Sequence, residues 1–305
     1  MKIYSKRLKK TGLRAKFIFS NALPLLLLVC CTKESINKKN LNFPVPHDLI
    51  FESSISLETK HFSPEKIVCD IKGNLFILAD RRRIILVKET EELEEMNMEE
   101  IYPCEIVDIS SDGFDIFLLD KMNRKIWTLK REKILEKGFT LEARPLFFSV
   151  SEKGLFTVIY SNSREFSCFS RTEKMGRGFL LEEGIMEGDG GALQFQKNSI
   201  YFANKKRNRV VLFNLYNPSK KSFIDVESPT SLALDSWENL FVATLNGITC
   251  ITKNGTKKKL LSNEQFGAKI SISKERLYIL NPEEKRIDVF KIFYTSSEPD
   301  ISGRE

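Results

Sequence analysis

Few residues of this chain have the type and spacing to carry chemistry. Three aspartates, Asp70, Asp108 and Asp235, end or lie within short apolar runs. Carboxylate oxygens gathered from separate segments are what a divalent cation needs, so these three are the candidate metal ligands. An aspartate closing a strand also accepts backbone N–H groups of the turn that follows, and that structural role is the weightier reading. Asp80, Asp120, Asn204 and Asn281 carry the same structural reading. Histidine occurs only at His47 and His61, both ahead of the first repeated unit. A serine nucleophile would lack its base, and no catalytic set stands out. Cys69, Cys104, Cys168 and Cys250 show neither CxxC pairing nor metal-like spacing and read as buried thiols, with a Cys69–Cys104 disulfide left open.

Basic residues form the more informative set. Arg81, Arg82 and Arg83 follow one apolar strand, and Lys121, Arg124 and Lys125 follow the next equivalent one. Lys205, Lys206, Arg207 and Arg209, then Lys285 and Arg286, repeat the arrangement. If these loops share one face they form a positive rim, a partner-binding face for an anionic glycan, lipid or protein. The competing reading is a solvated face that binds nothing.

The elements that position these residues recur. An opening Pro or Gly stands at Pro64, Pro103, Pro145, Gly190, Pro229 and Gly267, at spacings of 38 to 45 residues. Third-strand starts at Ile84, Ile126, Phe166, Val210, Ile248 and Ile287 keep the same rhythm. Each unit holds apolar strands of four to six residues separated by Gly, Asn, Asp and Lys turns. Six such copies predict an all-β, six-bladed β-propeller of four-stranded antiparallel blades. The last unit ends at Phe290-Lys291-Ile292-Phe293 with no apolar strand behind it, while Leu49 to Leu57 is a strand without a unit. Residues 48–57 are therefore expected to close the last blade. The Glu-rich stretch 89–100 reads as a soluble outer-edge excursion, and Lys257, Lys258 and Lys259 as residues preceding an outer strand.

The unit Pro64, Ile67-Val68-Cys69-Asp70, Gly73-Asn74, Phe76 to Asp80 and Arg83-Ile84 resembles the NHL-repeat propellers. Residues 103–129 and 229–251 match it too, and Gly188-Asp189-Gly190 resembles the loop that often precedes such a repeat. The third unit departs, with Ser161-Asn162-Ser163 in place of the Asp turn. The resemblance implies two function classes. One is a non-catalytic binding or scaffold protein. The alternative is a divalent-metal-dependent lactonase- or lyase-like enzyme with its cation in the central channel. The scarcity of histidine speaks against the His-based zinc chemistry that some NHL-like lyases use.

The first thirty residues are a different kind of sequence. Seven basic residues and no acidic one are followed by an apolar run from Phe17 to Val29, too short to span a membrane comfortably. Leu27-Leu28-Val29-Cys30-Cys31 then resembles the lipobox of bacterial lipoproteins, in which the Cys after the cut carries the lipid. Cys31 is the expected attachment point and Cys30 the alternative. The expected layout is a signal peptide at 1–30, a tether at 31–47, the propeller at 48–293 and a polar tail at 294–305. The expected setting is a monomer anchored by lipid to a membrane of the bacterial cell envelope, periplasmic or surface-exposed. Of 48 Lys and Arg, 41 lie beyond the leader, matching 41 Asp and Glu. The mature part is neutral overall, which removes the charge argument for nucleic acid. Apart from the covalent lipid no cofactor is expected, with a divalent cation reserved for the enzymatic alternative.

Overall fold

The computed structural model describes residues 43–58, 61–130, 133–135, 139–161, 166–170, 174–177, 193–196, 198–215, 217–262 and 268–295. The leader, Cys30 and Cys31 lie outside them. Strand β1 (Val45–Ser56) comes first. Sheet I holds β2 (Pro64–Cys69), β3 (Leu75–Ala79), β4 (Arg83–Val87) and β5 (Leu93–Glu95). Sheet II holds β6 (Ile106–Ser111), β7 (Ile116–Asp120), β8 (Lys125–Lys130) and β9 (Lys133–Leu135). Sheet III holds β10 (Pro145–Val150), β11 (Phe156–Tyr160), β12 (Phe166–Phe169) and β13 (Lys174–Arg177). Sheet IV holds β14 (Leu193–Gln196), β15 (Ser199–Asn204), β16 (Arg209–Asn214) and β17 (Asn217–Asp225). Sheet V holds β18 (Ser231–Leu234), β19 (Leu240–Thr244), β20 (Gly247–Ile251) and β21 (Lys257–Ser262). Sheet VI is made of β22 (Lys269–Ser273), β23 (Arg276–Asn281), β24 (Arg286–Thr295) and β1. All six described sheets are four-stranded and antiparallel.

Alternation along each strand explains why the sheets pack in succession. On β3, Leu75, Ile77 and Ala79 point into a cluster shared with sheet VI, where Tyr278, Leu280, Ile287 and Val289 meet them. The intervening Phe76 and Leu78 point the other way, toward Ile106, Ile109 and Trp127 of sheet II. A strand buried on both faces reads as a continuous apolar run, which is what Leu75–Ala79 is. The same two-sided burial joins II to III through Phe117 and Phe156, and III to IV through Phe166 and Phe213. Val210 and Val242 link IV to V, and Phe241 and Ile279 link V to VI. Sheet VI packs on sheet I, so the succession returns to its start.

Strand β1 runs along β24 from Val45↔Thr295 to Ser56↔Arg286. It starts at Val45 rather than at 48, inside the expected tether, and β24 runs to Thr295, two residues into the expected tail. Proline is tolerated on an edge strand, and the register shifts just after Pro46. Two further expectations are corrected. Lys257, Lys258 and Lys259 lie within β21, the outermost strand of sheet V, where charge blunts an exposed edge. The Glu-rich stretch supplies β5, whose Glu94 and Glu95 pair with Lys88 and Arg83, and then a 3-10 turn at Glu99–Ile101. Sheet V also contains a position only glycine fits. Gly247 has φ +121° and a Cβ there would lie 2.0 Å from the Leu261 carbonyl oxygen.

Candidate functional site

The first strands of the sheets, β2, β6, β10, β14, β18 and β22, are neighbours in sequence order, with β22 beside β2. They run parallel. The Ile71 N–H donates to the Gly113 carbonyl, while Lys66 reaches Asp108 with the same offset along the chain. No ladder joins these edges, so their polar backbone groups need side-chain partners. Asp108 accepts from Phe148 N at 3.0 Å and Ser110 Oγ from Val150 N at 3.1 Å. Ser231 Oγ accepts from Ile270 N at 3.1 Å, and Ser273 Oγ donates to the Asp70 carbonyl at 2.8 Å. Short polar residues on inner strands are thereby explained without invoking a reaction.

Between these strands lies a cavity of about 700 Å³. Lys66, Ser110, Gln194, Ser231 and Ser271 are among the residues lining it, all from inner strands. The end at which the inner strands finish is acidic and partly apolar, with Asp70, Asp112, Glu152 and Asp235 beside the exposed Ile71 and Phe114. The end at which they begin lies on the side of the basic loops. There Lys66, in the cavity lining, pairs with the buried Asp108, and Lys269, outside that lining, places Nζ 3.4 Å from the Thr230 carbonyl oxygen of sheet V. Burial pushes the Lys269 pKa below its ordinary value, and the positive Lys66 and Lys205 add to this while Asp108 opposes it. Burial raises the Asp108 pKa, with Lys66 and the two backbone N–H bonds pulling the other way.

The candidate metal ligands do not converge. Asp70 Oδ1 accepts from the N–H groups of Lys72, Gly73 and Asn74, each at 2.9 Å. Asp235 does the same for Trp237 and Asn239 and takes the Tyr294 hydroxyl at 3.2 Å. Both stand at the acidic end, whereas Asp108 belongs to the basic end. Among the described residues no group of three His, Cys, Asp or Glu is placed to hold a metal ion. Asp120, Asn204 and Asn281 accept backbone N–H groups in the loops after second strands, Asp120 taking the Trp127 indole as well, while Asp80 accepts the Ser63 N–H just ahead of β2. His47 contacts Lys258 on the outer strands, and His61 is exposed ahead of β2. The four described cysteines are free thiols. Burial pushes Cys69 and Cys250 up to about 12 and Cys168 to about 11.

The basic loops share the face at which the inner strands begin, because Ala79 at the end of β3 pairs with Pro64 at the start of β2. Their charges are not equivalent. Arg81 meets Glu65 and Glu105, Arg83 binds Glu95 through two nitrogens, and Arg286 meets Glu284 and Asp288. Lys125 and Arg209 lie over the rings of Trp127 and Phe223. Lys206 is exposed and also has a partner. Arg82, Arg124 and Arg207 are exposed, and with the half-buried Lys205 they form no ion pair among the described residues. Arg81, Arg124 and Lys285 hold left-handed φ values of 56°, 53° and 46° at their loop tips.

No protein-family model and no curated protein matches the chain. Solved structures do. Virginiamycin B lyase from Staphylococcus aureus superposes with a TM-score of 0.57 at 13% identity, over 79% of this chain and 99% of that one. Its catalytically inactive histidine-to-alanine variant, solved with quinupristin, gives 0.56 at 13% over the same shares. A protein of unknown function from Bacteroides thetaiotaomicron gives 0.59 at 9%, over 82% of this chain and 76% of that one. The fold is propeller-like. At these identities the likeness concerns the fold alone, and function must come from the site.

Lys66 and Lys269 were not singled out by the sequence reading, yet a signal for them exists. Each stands two residues after its unit's opening residue, Pro64 and Gly267. That shared phase puts both near the start of their inner strands, β2 and β22.

Proposed function

We propose that the chain is a six-bladed β-propeller carried on a lipoprotein leader in a bacterial cell envelope, where it acts as a monomeric, non-catalytic binding protein for an anionic partner. The observation that carries the reading is the basic-loop face. Three arginines from three separate sheets, Arg82, Arg124 and Arg207, stand exposed there without ion pairs among the described residues. The carboxylates that a metal-dependent reaction would use are engaged in turns and inner-strand bonds instead.

Strand direction bears on the partner. Ser56 lies beside Arg286, a residue of the basic face, so Val45 lies toward the opposite face. Pro44 accordingly accepts from Asn239 in a turn of that far face. The tether leaves there, which favours a glycan or acidic protein over the headgroups of the anchoring leaflet. Arg82→Glu, Arg124→Glu and Arg207→Glu together should abolish binding to dextran sulfate while leaving the fold intact. Reversal of Lys257, Lys258 and Lys259 should change it little, and wild-type binding should weaken with salt as screening sets in over about 10 Å at 0.1 M. Equal binding by the two triple variants, or indifference to salt, would refute the reading.

The virginiamycin B lyase neighbours favour the lyase-like enzyme as a second reading. Against it stands the position of His47 and His61 away from the cavity. Metal analysis of the purified protein separates the two, since a tightly held stoichiometric Ca²⁺ or Zn²⁺ supports the enzyme.

A further inference from the structure

A groove of about 380 Å³ lies on the basic-loop face, between sheet I and the segment that leads from β5 into sheet II. Its walls bring together the Arg82 guanidinium, the Tyr102 ring, the Asn97 amide and the Glu99 carboxylate. Met98 and Cys104, both half-buried, also line it. Tyr102 is 74% exposed, an unusual setting for so large a ring. Neither its hydroxyl nor the Arg82 side chain has a hydrogen bond or ion pair among the described residues. Backbone bonds hold these walls in place. The Ile106 N–H donates to the Arg81 carbonyl at 2.7 Å and the Met96 N–H to the Ile84 carbonyl at 2.9 Å. Asn123 Nδ2 donates to the Pro103 carbonyl at 2.8 Å, just after Tyr102. The groove is thus formed before any ligand arrives, which lowers the cost of binding.

Each wall asks for a different part of a ligand. An exposed aromatic ring offers a flat apolar surface with one polar tip, and C–H groups pack on such a face. A guanidinium takes a carboxylate through two parallel bonds. Asn97 and Glu99 share only a long contact, Nδ2 to Oε2 at 3.4 Å, so the Glu99 carboxylate keeps room to accept hydroxyl protons. A ring with one carboxylate, a C–H face and several hydroxyls satisfies all four. We propose that this groove binds a uronate residue of an acidic glycan, with its ring on Tyr102, its carboxylate on Arg82 and its hydroxyls toward Asn97 and Glu99. This rests on the reading of the basic-loop face as the binding face and deepens it by naming the ligand. An acidic peptide fits less well, because it brings several carboxylates past Glu99 and few hydroxyl donors to it.

The test is a calorimetric titration of the purified full chain with trigalacturonate, beside its methyl ester and triglutamate. Saturable binding of trigalacturonate is expected, weakened at least tenfold in Tyr102→Ala and retained in Tyr102→Trp. Arg82→Gln should weaken it at least tenfold too, and should no longer prefer the acid to the methyl ester. Both side chains are exposed, so these variants should unfold at the wild-type temperature, which separates loss of a site from loss of fold. The absence of saturable trigalacturonate binding, or equal affinity in wild type and Tyr102→Ala, would overturn the site. Triglutamate binding as tight and as dependent on Tyr102 would also overturn it, in favour of an acidic protein. Dextran sulfate keeps the two readings apart, since Tyr102→Ala should still bind it within a few-fold through Arg124 and Arg207. If the rim variant lost dextran sulfate while wild type ignored trigalacturonate, the uronate site would fall and the functional reading would stand. If the rim variant kept dextran sulfate while trigalacturonate binding depended on Tyr102, the functional reading would fall instead.

Discussion

Lys269 is a charged group that the fold holds partly out of water beside like charges, and its ionisation should be visible in stability. Its native pKa lies below the ordinary 10.5, through burial first and then Lys66 and Lys205, with Asp108 working the other way. Below the lowered value both folded and unfolded chains carry the proton, and the folded state bears the full cost of the buried charge. Between that value and 10.5 the unfolded chain binds more protons, so stability rises with pH through this window. Lys269→Met lacks the cost at every pH. It should exceed wild type in urea midpoint near neutrality, and the gap should narrow as pH approaches 10. A gap that stayed constant or widened would show that Lys269 is not the group responsible. Little of this was legible beforehand, because a strand lysine reads as a surface residue. Only the folding of sheet VI against sheet V brings Lys269 to the Thr230 carbonyl and out of water. The turn aspartates were more legible, since the chemistry of Asp70 and Asp235 is local, each accepting N–H groups within four residues.

At the scale of elements, β1 has the clearest energetic role. It places Ile55, and Leu57 just beyond its end, in the cluster between sheets VI and I, with Leu57 fully buried, and packs Leu49 toward the cluster between V and VI. Burying an aliphatic side chain of this size is worth roughly 1.5–3 kcal/mol. Leu57→Ala alone should cost about 2–5 kcal/mol, including the cavity it leaves. Deleting residues 45–57 should go further, exposing the edge of β24 as well as two clusters, and should lower the thermal transition of the whole domain. An unchanged transition after that deletion would mean that β24 closes the sheet without β1. The strand's existence could be read from an apolar run with no unit of its own. Its start could not, because the rule that proline ends a strand is relaxed at an edge. The same holds for Lys257–Lys259, where a row of lysines looks like a turn until the strand proves to be an outermost one.

The whole molecule is best understood as a set of sheets that each lack a complete core. Every sheet buries its two faces against two different neighbours, so the repeat period had to be visible in the sequence for the structure to form at all. The fold was accordingly the most legible property, and the third unit the least, where Ser161 replaces the aspartate turn. Charge behaves differently at this scale, since residues 31–305 balance at 41 against 41, while among the described residues Arg82, Arg124 and Arg207 stay exposed and unpaired on one face. The proposed lipidation is likewise a property of the whole chain. Labelled fatty acid should enter wild type and be lost in Cys31→Ser, with equal labelling of that variant assigning the lipid to Cys30 instead. The path of β1 then has a mechanical consequence. A pull on the chain ahead of Val45 acts along β1 toward that end, while β24 is held from its Arg286 end through β23. The seam is thus loaded in shear, with its hydrogen bonds strained together rather than peeled one after another. A protein tethered by its N-terminal side would resist extraction at the strand that completes its last sheet.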